Sequence, residues 1–169
     1  MKAVLVLPLC AAVAAALLAG CVEPTRVAVG ASRAQALAQA GTPIARYPLP
    51  GGGERLQYSR EPAGFEVTNI DIDATGKVSA VRPMLVESDF QHTIQIGAWR
   101  APEVLRAYGK PQRVTRVSSF DGAIWQWRYR QAGSRAPRFL LIYFDPQGIV
   151  RRWQTIDDNA FGDFARGRG

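Results

Sequence analysis

Among side chains able to do covalent chemistry, the thiol of Cys21 is the one whose neighbours prescribe a reaction. It closes the run Leu18-Ala19-Gly20-Cys21, behind an apolar stretch from Ala3 to Ala19 that Lys2 precedes. A basic start, an apolar run and two small residues are what a secretory signal needs, and a cysteine just past the cut can receive diacylglycerol. Residues 1–20 therefore read as a lipoprotein signal peptide and Cys21 as the lipidation site. Pro8 interrupts the apolar run and speaks against an uncleaved spanning helix. Cys10 leaves with the signal, so no disulfide is expected in the mature chain. Acyl chains contribute about 0.8 kcal/mol per buried methylene, enough to hold a folded domain at a membrane. Val22 stands where an aspartate would retain a lipoprotein in the inner membrane, so the expected location is the periplasmic face of the outer membrane.

The remaining residues offer little for catalysis. General acid–base and nucleophilic mechanisms need groups of suitable pKa held together. The mature chain has one histidine, His92, and no spacing that matches a zinc motif. Asp71 with Asp73, and Asp157 with Asp158, read as solvated carboxylates beside a turn and at the start of a tail. Gly51-Gly52-Gly53 lacks the Lys-Ser/Thr of a phosphate loop and reads as a connection. The expectation is a non-enzyme with no catalytic residue, metal or cofactor.

Charge is distributed unevenly. Residues 22–88 carry seven basic and seven acidic side chains, whereas residues 89–169 carry thirteen basic against seven acidic. Arginine pairs bidentately with carboxylates and phosphates, so the basic half points to an acidic protein surface or to lipid phosphates. Nucleic acid is not expected as the partner of an exported chain. Arg113, Arg116, Arg128 and Arg130 are the candidate partner-binding residues.

These arginines must be positioned by a repeated element. Gly30 recurs at Gly97, Gly41 at Gly109, Pro43 at Pro111, Leu56-Gln57-Tyr58 at Trp127-Arg128-Tyr129, and Asp73-x-x-Gly76 at Asp145-x-x-Gly148. In the first copy Ser32 caps a short helix with Gln35 three positions on, and Gly41 ends it. In the second, Pro102 and Glu103 suit the first turn and Gly109 closes it. Strand-like stretches follow at 55–60, 65–73 and 77–82, and again at 125–130, 138–145 and 149–156. The fold class is α+β: two tandem repeats, each a short helix followed by a three-stranded antiparallel β-meander. The divisions are a signal peptide (1–20), a tether (21–29), a first unit (30–86), a second unit (87–156) and a mobile tail (157–169). Period two places Trp125, Trp127 and Tyr129 on the face that covers the helix, with Phe139, Leu141 and Tyr143 in the same layer, and turns Arg128 and Arg130 outward. Residues 86–96 read as another short helix, with Ser88 as cap.

Gly30, Ser32, Gln35, Leu37, Gly41 and Pro43, then Gly97, Glu103, Val104, Leu105, Gly109, Pro111, Trp127, Tyr129, Phe144, Asp145, Gly148 and Val150, together resemble the SmpA/OmlA (BamE-like) family of small outer-membrane lipoproteins. The doubled unit also resembles the β-lactamase inhibitor protein architecture. The first resemblance implies an envelope protein as partner, such as the barrel-assembly machinery, with a role in outer-membrane protein assembly or envelope integrity. The second implies a periplasmic enzyme-binding or inhibitor module. A basic surface that binds lipid headgroups is a third expectation, from charge alone.

Overall fold

A computed structural model describes residues 23–158, so the signal segment, Cys21 and residues 159–169 lie outside the described residues. The chain is α+β and contains two four-stranded antiparallel sheets in tandem. Sheet 1 has the order β1(Ala45–Pro48), β2(Glu54–Ser59), β3(Val67–Ile72), β4(Val78–Pro83), and α1(Arg33–Ala40) precedes it. Sheet 2 has the order β5(Arg113–Val117), β6(Phe120–Arg130), β7(Pro137–Phe144), β8(Val150–Asp157). A 3-10 turn at Glu87–Asp89, α2(Phe90–Thr93) and α3(Ala101–Tyr108) precede sheet 2.

The expectation of three strands per unit is corrected to four. The additional strands, β1 and β5, are short edge strands with alternating or mostly exposed side chains. They bury little apolar surface, so no hydrophobic pattern announces them.

The repeat extends to single hydrogen bonds. Gly30 N donates to Val78 O and Gly97 N to Val150 O, each at 2.8 Å, while Gly41 N donates to Leu37 O and Gly109 N to Leu105 O, each at 2.9 Å. Ile44 N donates to Gln57 O, and Gln112 N to Gln126 O, both at 2.8 Å. A bulge falls at Asp71/Ile72 in sheet 1 and at Tyr143/Phe144 in sheet 2, the same place in each. These bonds make Gln57 the counterpart of Gln126. The sequence alignment of Leu56-Gln57-Tyr58 with Trp127-Arg128-Tyr129 is therefore two residues out, and Trp125-Gln126-Trp127 is the true match. A slip of two keeps every side chain on its face, which is why the inward and outward assignment for β6 survives it.

Local chemistry accounts for the helices and turns. The Ser32 side chain accepts from Gln35 N, and Gln35 returns the bond to Ser32 N at 2.8 Å, forming a capping box. Glu103 accepts from Arg100 N at 2.9 Å, and Pro102 sits in the first turn of α3. Ser88 caps nothing; its hydroxyl bonds the Asp89 carboxylate instead. Asp73 and Asp145 each tie their own turn by accepting a backbone N–H four residues on, from Lys77 and Ile149.

The two helices pack differently. α1 rests on one face of sheet 1, with Ala36 and Ala40 against Leu56, Tyr58, Ile70, Ile72 and Val78. Val27 enters this core and the Gln39 amide donates to Arg26 O, so the segment expected as a tether is docked from the 3-10 turn Pro24–Arg26 onward. In the second unit Val104, Ala107 and Tyr108 of α3 pack with Phe90 and Ile94 on Trp127, Tyr129, Leu140, Ile142 and Phe144. Phe90 meets Tyr129 edge-on at 5.4 Å and Trp153 at 5.9 Å.

Phe139, Leu141 and Tyr143 do not join that aromatic layer. They lie opposite Arg128, Gln126 and Ile124 in the β6–β7 register, and directly opposed residues share a face. β7 is apolar at nearly every position, so alternation could not choose its inner side.

Candidate functional site

The second unit's helix is roofed by the first unit's sheet. Alternation turns Val67, Asn69 and Asp71 away from α1 and toward α3. The last carbonyls of an α-helix have no partner within the helix. The Gln57 amide donates to Leu105 O at 3.1 Å and Arg106 O at 3.2 Å, and the Asn69 amide donates to Ala107 O at 2.9 Å. Gln57 and Asn69 are each 1% exposed. Two side-chain amides of sheet 1 therefore close the C-terminal turn of a helix that belongs to the other unit. The Tyr47 hydroxyl adds a longer bond to Leu105 O at 3.4 Å.

Beside this seam, Asp71 accepts two bonds from Arg55 at 2.7 and 2.9 Å and one from Arg82 at 2.8 Å. The reading of Asp71 as a solvated carboxylate is corrected, since it is 6% exposed and shared by two guanidinium groups. Asp73 does lie in an exposed turn, where bonds from Thr75 and Lys77 lower its pKa. Asp157 is exposed and meets Arg138, and Asp158 meets Arg128. Thus β8 runs through Asp157, where the tail was expected to begin.

The four arginines singled out in sequence fall into two settings. Arg128 and Arg130 both stack on Phe65, a residue of the loop joining β2 to β3, with guanidinium carbons 4.7 and 4.1 Å from the ring centre. They serve as contacts between the units as well as surface charge. Arg113 shares the outer face of sheet 2 with Gln126, its register partner. Arg116 falls at the irregularity between Thr115 and Val117 in edge strand β5, and is exposed. The arginines therefore do not converge on one point. Cys21 lies outside the described residues.

Glu61 belongs to the same seam. Its carboxylate accepts the backbone N–H of Arg128 at 3.1 Å, and its second oxygen is buried without a partner among the described residues. Burial raises its pKa to about 7, against the opposing pull of the Arg128 N–H and charge.

Among the described residues, no three His, Cys, Asp or Glu side chains are placed to hold a metal. His92 is exposed and has its ring against the amide of neighbouring Gln91. No helix among the described residues is long and apolar enough to cross a membrane.

Gln57, Asn69, Glu61 and Phe65 were missed in the sequence. Gln57 sits in mid-strand between Leu56 and Tyr58, and Asn69 between Thr68 and the apolar Ile70, and these neighbours are the one local sign that the amides are buried. The carbonyls they meet lie 48 and 38 residues along the chain.

No family model matches the chain, and no curated protein matches it. Among solved structures it is similar to a DUF4309 family protein (YjgB) from Bacillus subtilis, at a TM-score of 0.31 and 15% identity, over 76% of this chain and 79% of that one. A score that low leaves the function to be read from this chain's own residues.

Proposed function

We propose that the chain is a non-enzymatic lipoprotein, held to the periplasmic face of the outer membrane through acylated Cys21. In this reading it binds another envelope protein and supports outer-membrane protein assembly or envelope integrity. The observation that supports it best is the free edge of sheet 2. Among the described residues β5 is hydrogen-bonded only to β6, and it leaves Val114 54% exposed and turns Arg116 outward at its bulge. An edge strand offers unpaired backbone groups, and fixed positive charge beside it favours an acidic partner segment. The matching edge of sheet 1 is better neutralised, because Arg46 lies 4.0 Å from Glu54 and the Tyr47 ring is capped by Arg106.

The SmpA/OmlA resemblance of the turn, cap and core residues favours the barrel-assembly machinery as partner, although each unit here carries a fourth strand. A photo-crosslinking residue at Val114 in intact cells is expected to capture a barrel-assembly component, and Arg116→Glu is expected to abolish the capture. Capture of unrelated envelope proteins alone would remove that assignment. Stoichiometric inhibition of a periplasmic hydrolase by an untethered Cys21→Ser form would replace it with the inhibitor reading.

A further inference from the structure

Three arginines other than those four do converge. A cleft of about 310 Å³ opens where the outer face of sheet 1 meets α3, and Arg55, Arg82 and Arg106 line it. Arg55 and Arg82 come from β2 and β4 of the first unit and Arg106 from α3 of the second, so the cleft is formed by the docking of the two units. Trp99, Met84 and Ala107 supply the apolar part of its wall. Trp99 and Met84 are half-buried, packed on the second core with one side left on the cleft.

The carboxylates at hand are already engaged by the protein. Asp71, behind the wall, accepts two bonds from Arg55 and one from Arg82. Glu103, at the rim, accepts the backbone N–H of Arg100. Three guanidinium groups thus meet two occupied carboxylates, which leaves the cleft positive. Arg82 is 56% exposed, gives Asp71 only its Nη1, and has no other partner among the described residues. Arg106 makes a long bond to Pro48 O at 3.4 Å besides its stack on Tyr47. Guanidinium groups with donors left over select the oxygens of a carboxylate or a phosphate.

The duplicated plan does without this charge. Arg55 opposite Asp71 in the β2–β3 register is matched in sheet 2 by Ile124 opposite Tyr143. A buried ion pair adds little to stability over a well-packed pair of that kind, so folding alone gives no reason for Asp71 to hold two arginines beside the cleft. What the carboxylate does achieve is to fix their guanidinium planes, and a preorganised site binds without having to order its own side chains.

We propose that this cleft binds a small amphipathic anion, a carboxylate or phosphate carried on one apolar group, with the head on Arg82 and Arg55 and the apolar group against Trp99 and Met84. Its volume lies at the lower end of the range for small-molecule sites, about 300–1,000 Å³. At about 30 Å³ for each water-sized group it holds on the order of ten non-hydrogen atoms, which suits one ring or a short chain and excludes a two-chain lipid. The cleft is separate from the β5 edge used by the envelope partner proposed above, so the two readings fail independently.

Titration of the full chain in a non-ionic detergent, followed through the indole N–H resonances of its tryptophans, tests it. Phenyl phosphate and phenylacetate are the probes. Benzyl alcohol carries the ring without the charge, and inorganic phosphate the charge without the ring. Saturable movement, largest at Trp99, is expected with at least one of the two probes, and the tighter of them identifies the head. Benzyl alcohol and inorganic phosphate are expected to bind at least about tenfold more weakly. Arg82→Gln is expected to weaken the preferred probe by at least about tenfold, while Arg135→Gln, at an exposed loop position, leaves it unchanged. Absence of saturable movement with both probes would overturn the proposal. Benzyl alcohol binding as tightly as the anions would reduce the cleft to an apolar crevice, and an equal loss in Arg135→Gln would reduce the effect to net charge; either result overturns it as well. The comparison of probes is made on the parent protein, so it decides the matter whether or not Arg82→Gln folds.

Discussion

Two units with the same hydrogen-bond plan solve the problem of docking a helix in different ways. The first uses small aliphatic contacts beneath α1, where Ala36 and Ala40 let the helix lie close to Leu56 and Ile70. The second uses an aromatic cluster around Tyr108, Trp127 and Phe90, in which Phe90 meets Tyr108 edge-on and Tyr108 meets Trp127 at a tilt. Their outer sheet faces differ more sharply. Sheet 1 presents amides and a carboxylate that the neighbouring helix and arginines satisfy, whereas sheet 2 presents leucine, tyrosine and isoleucine. Duplication fixed the backbone plan, and each face then took the chemistry its neighbour required.

The comparison breaks first at the cores. Trp127→Ala removes a fully buried ring and is expected to cost about 3–5 kcal/mol in denaturant unfolding. Ala36→Ser in the first core, which removes no volume, should cost clearly less. Comparable losses at both sites would deny that the second unit carries the larger packing term.

The next test concerns the counterpart glutamines. Gln57→Ala removes the shortest side-chain bonds to Leu105 O and Arg106 O, leaving each only a longer one, from Tyr47 at 3.4 Å and Asn69 at 3.5 Å, and should cost about 1–3 kcal/mol. Gln126→Ala removes one amide bond, to Gln112, together with an oxygen that lacks a donor among the described residues, and should cost about 1 kcal/mol or less. Equal effects would mean that the amide capping of α3 is not what separates the two faces.

Acidity sharpens the seam between the units. The pKa of Glu61 is raised in the folded protein to about 7 from an ordinary 4.5. Its contribution is therefore fully favourable below about pH 4.5 and is lost as pH rises through about 7. Discounted for the partial exposure of the group, the change is about 1–2 kcal/mol. Glu61→Gln should flatten this part of the stability profile and raise stability at pH 8. A profile unchanged by the substitution would show the carboxyl to be well solvated.

The smallest effect is expected at the helix starts. Ser32→Ala should destabilise by about 1 kcal/mol through loss of a cap. Arg100→Ala keeps the backbone N–H that Glu103 accepts, and should cost less in a parallel melt.

Much of this plan was legible because turns and caps are local. Ser32 with Gln35, Gly41, Gly109 and the two Asp-x-x-Gly turns act within a few residues, so their partners stand beside them in sequence. β1 and β5 were illegible because Ala45–Pro48 and Arg113–Val117 bury almost nothing, and a strand without an apolar face looks like a loop. The side of β7 could not be chosen because both sides are buried, and only its register with β6 decides. The candidate site was legible as excess arginine. That Arg128 and Arg130 spend their guanidinium faces on Phe65 was not, because the ring lies more than sixty residues earlier.

The amide clasp on α3 also sets how the molecule can come apart. A helix contributed by the later half of the chain finishes its own backbone bonding only against the earlier half. Peeling the halves apart would take from Leu105 O, Arg106 O and Ala107 O the side-chain donors that sheet 1 supplies, and the strands on either side would lose their lining in the same event. The chain should consequently melt as one body, in a single calorimetric peak, and not as two beads on a string.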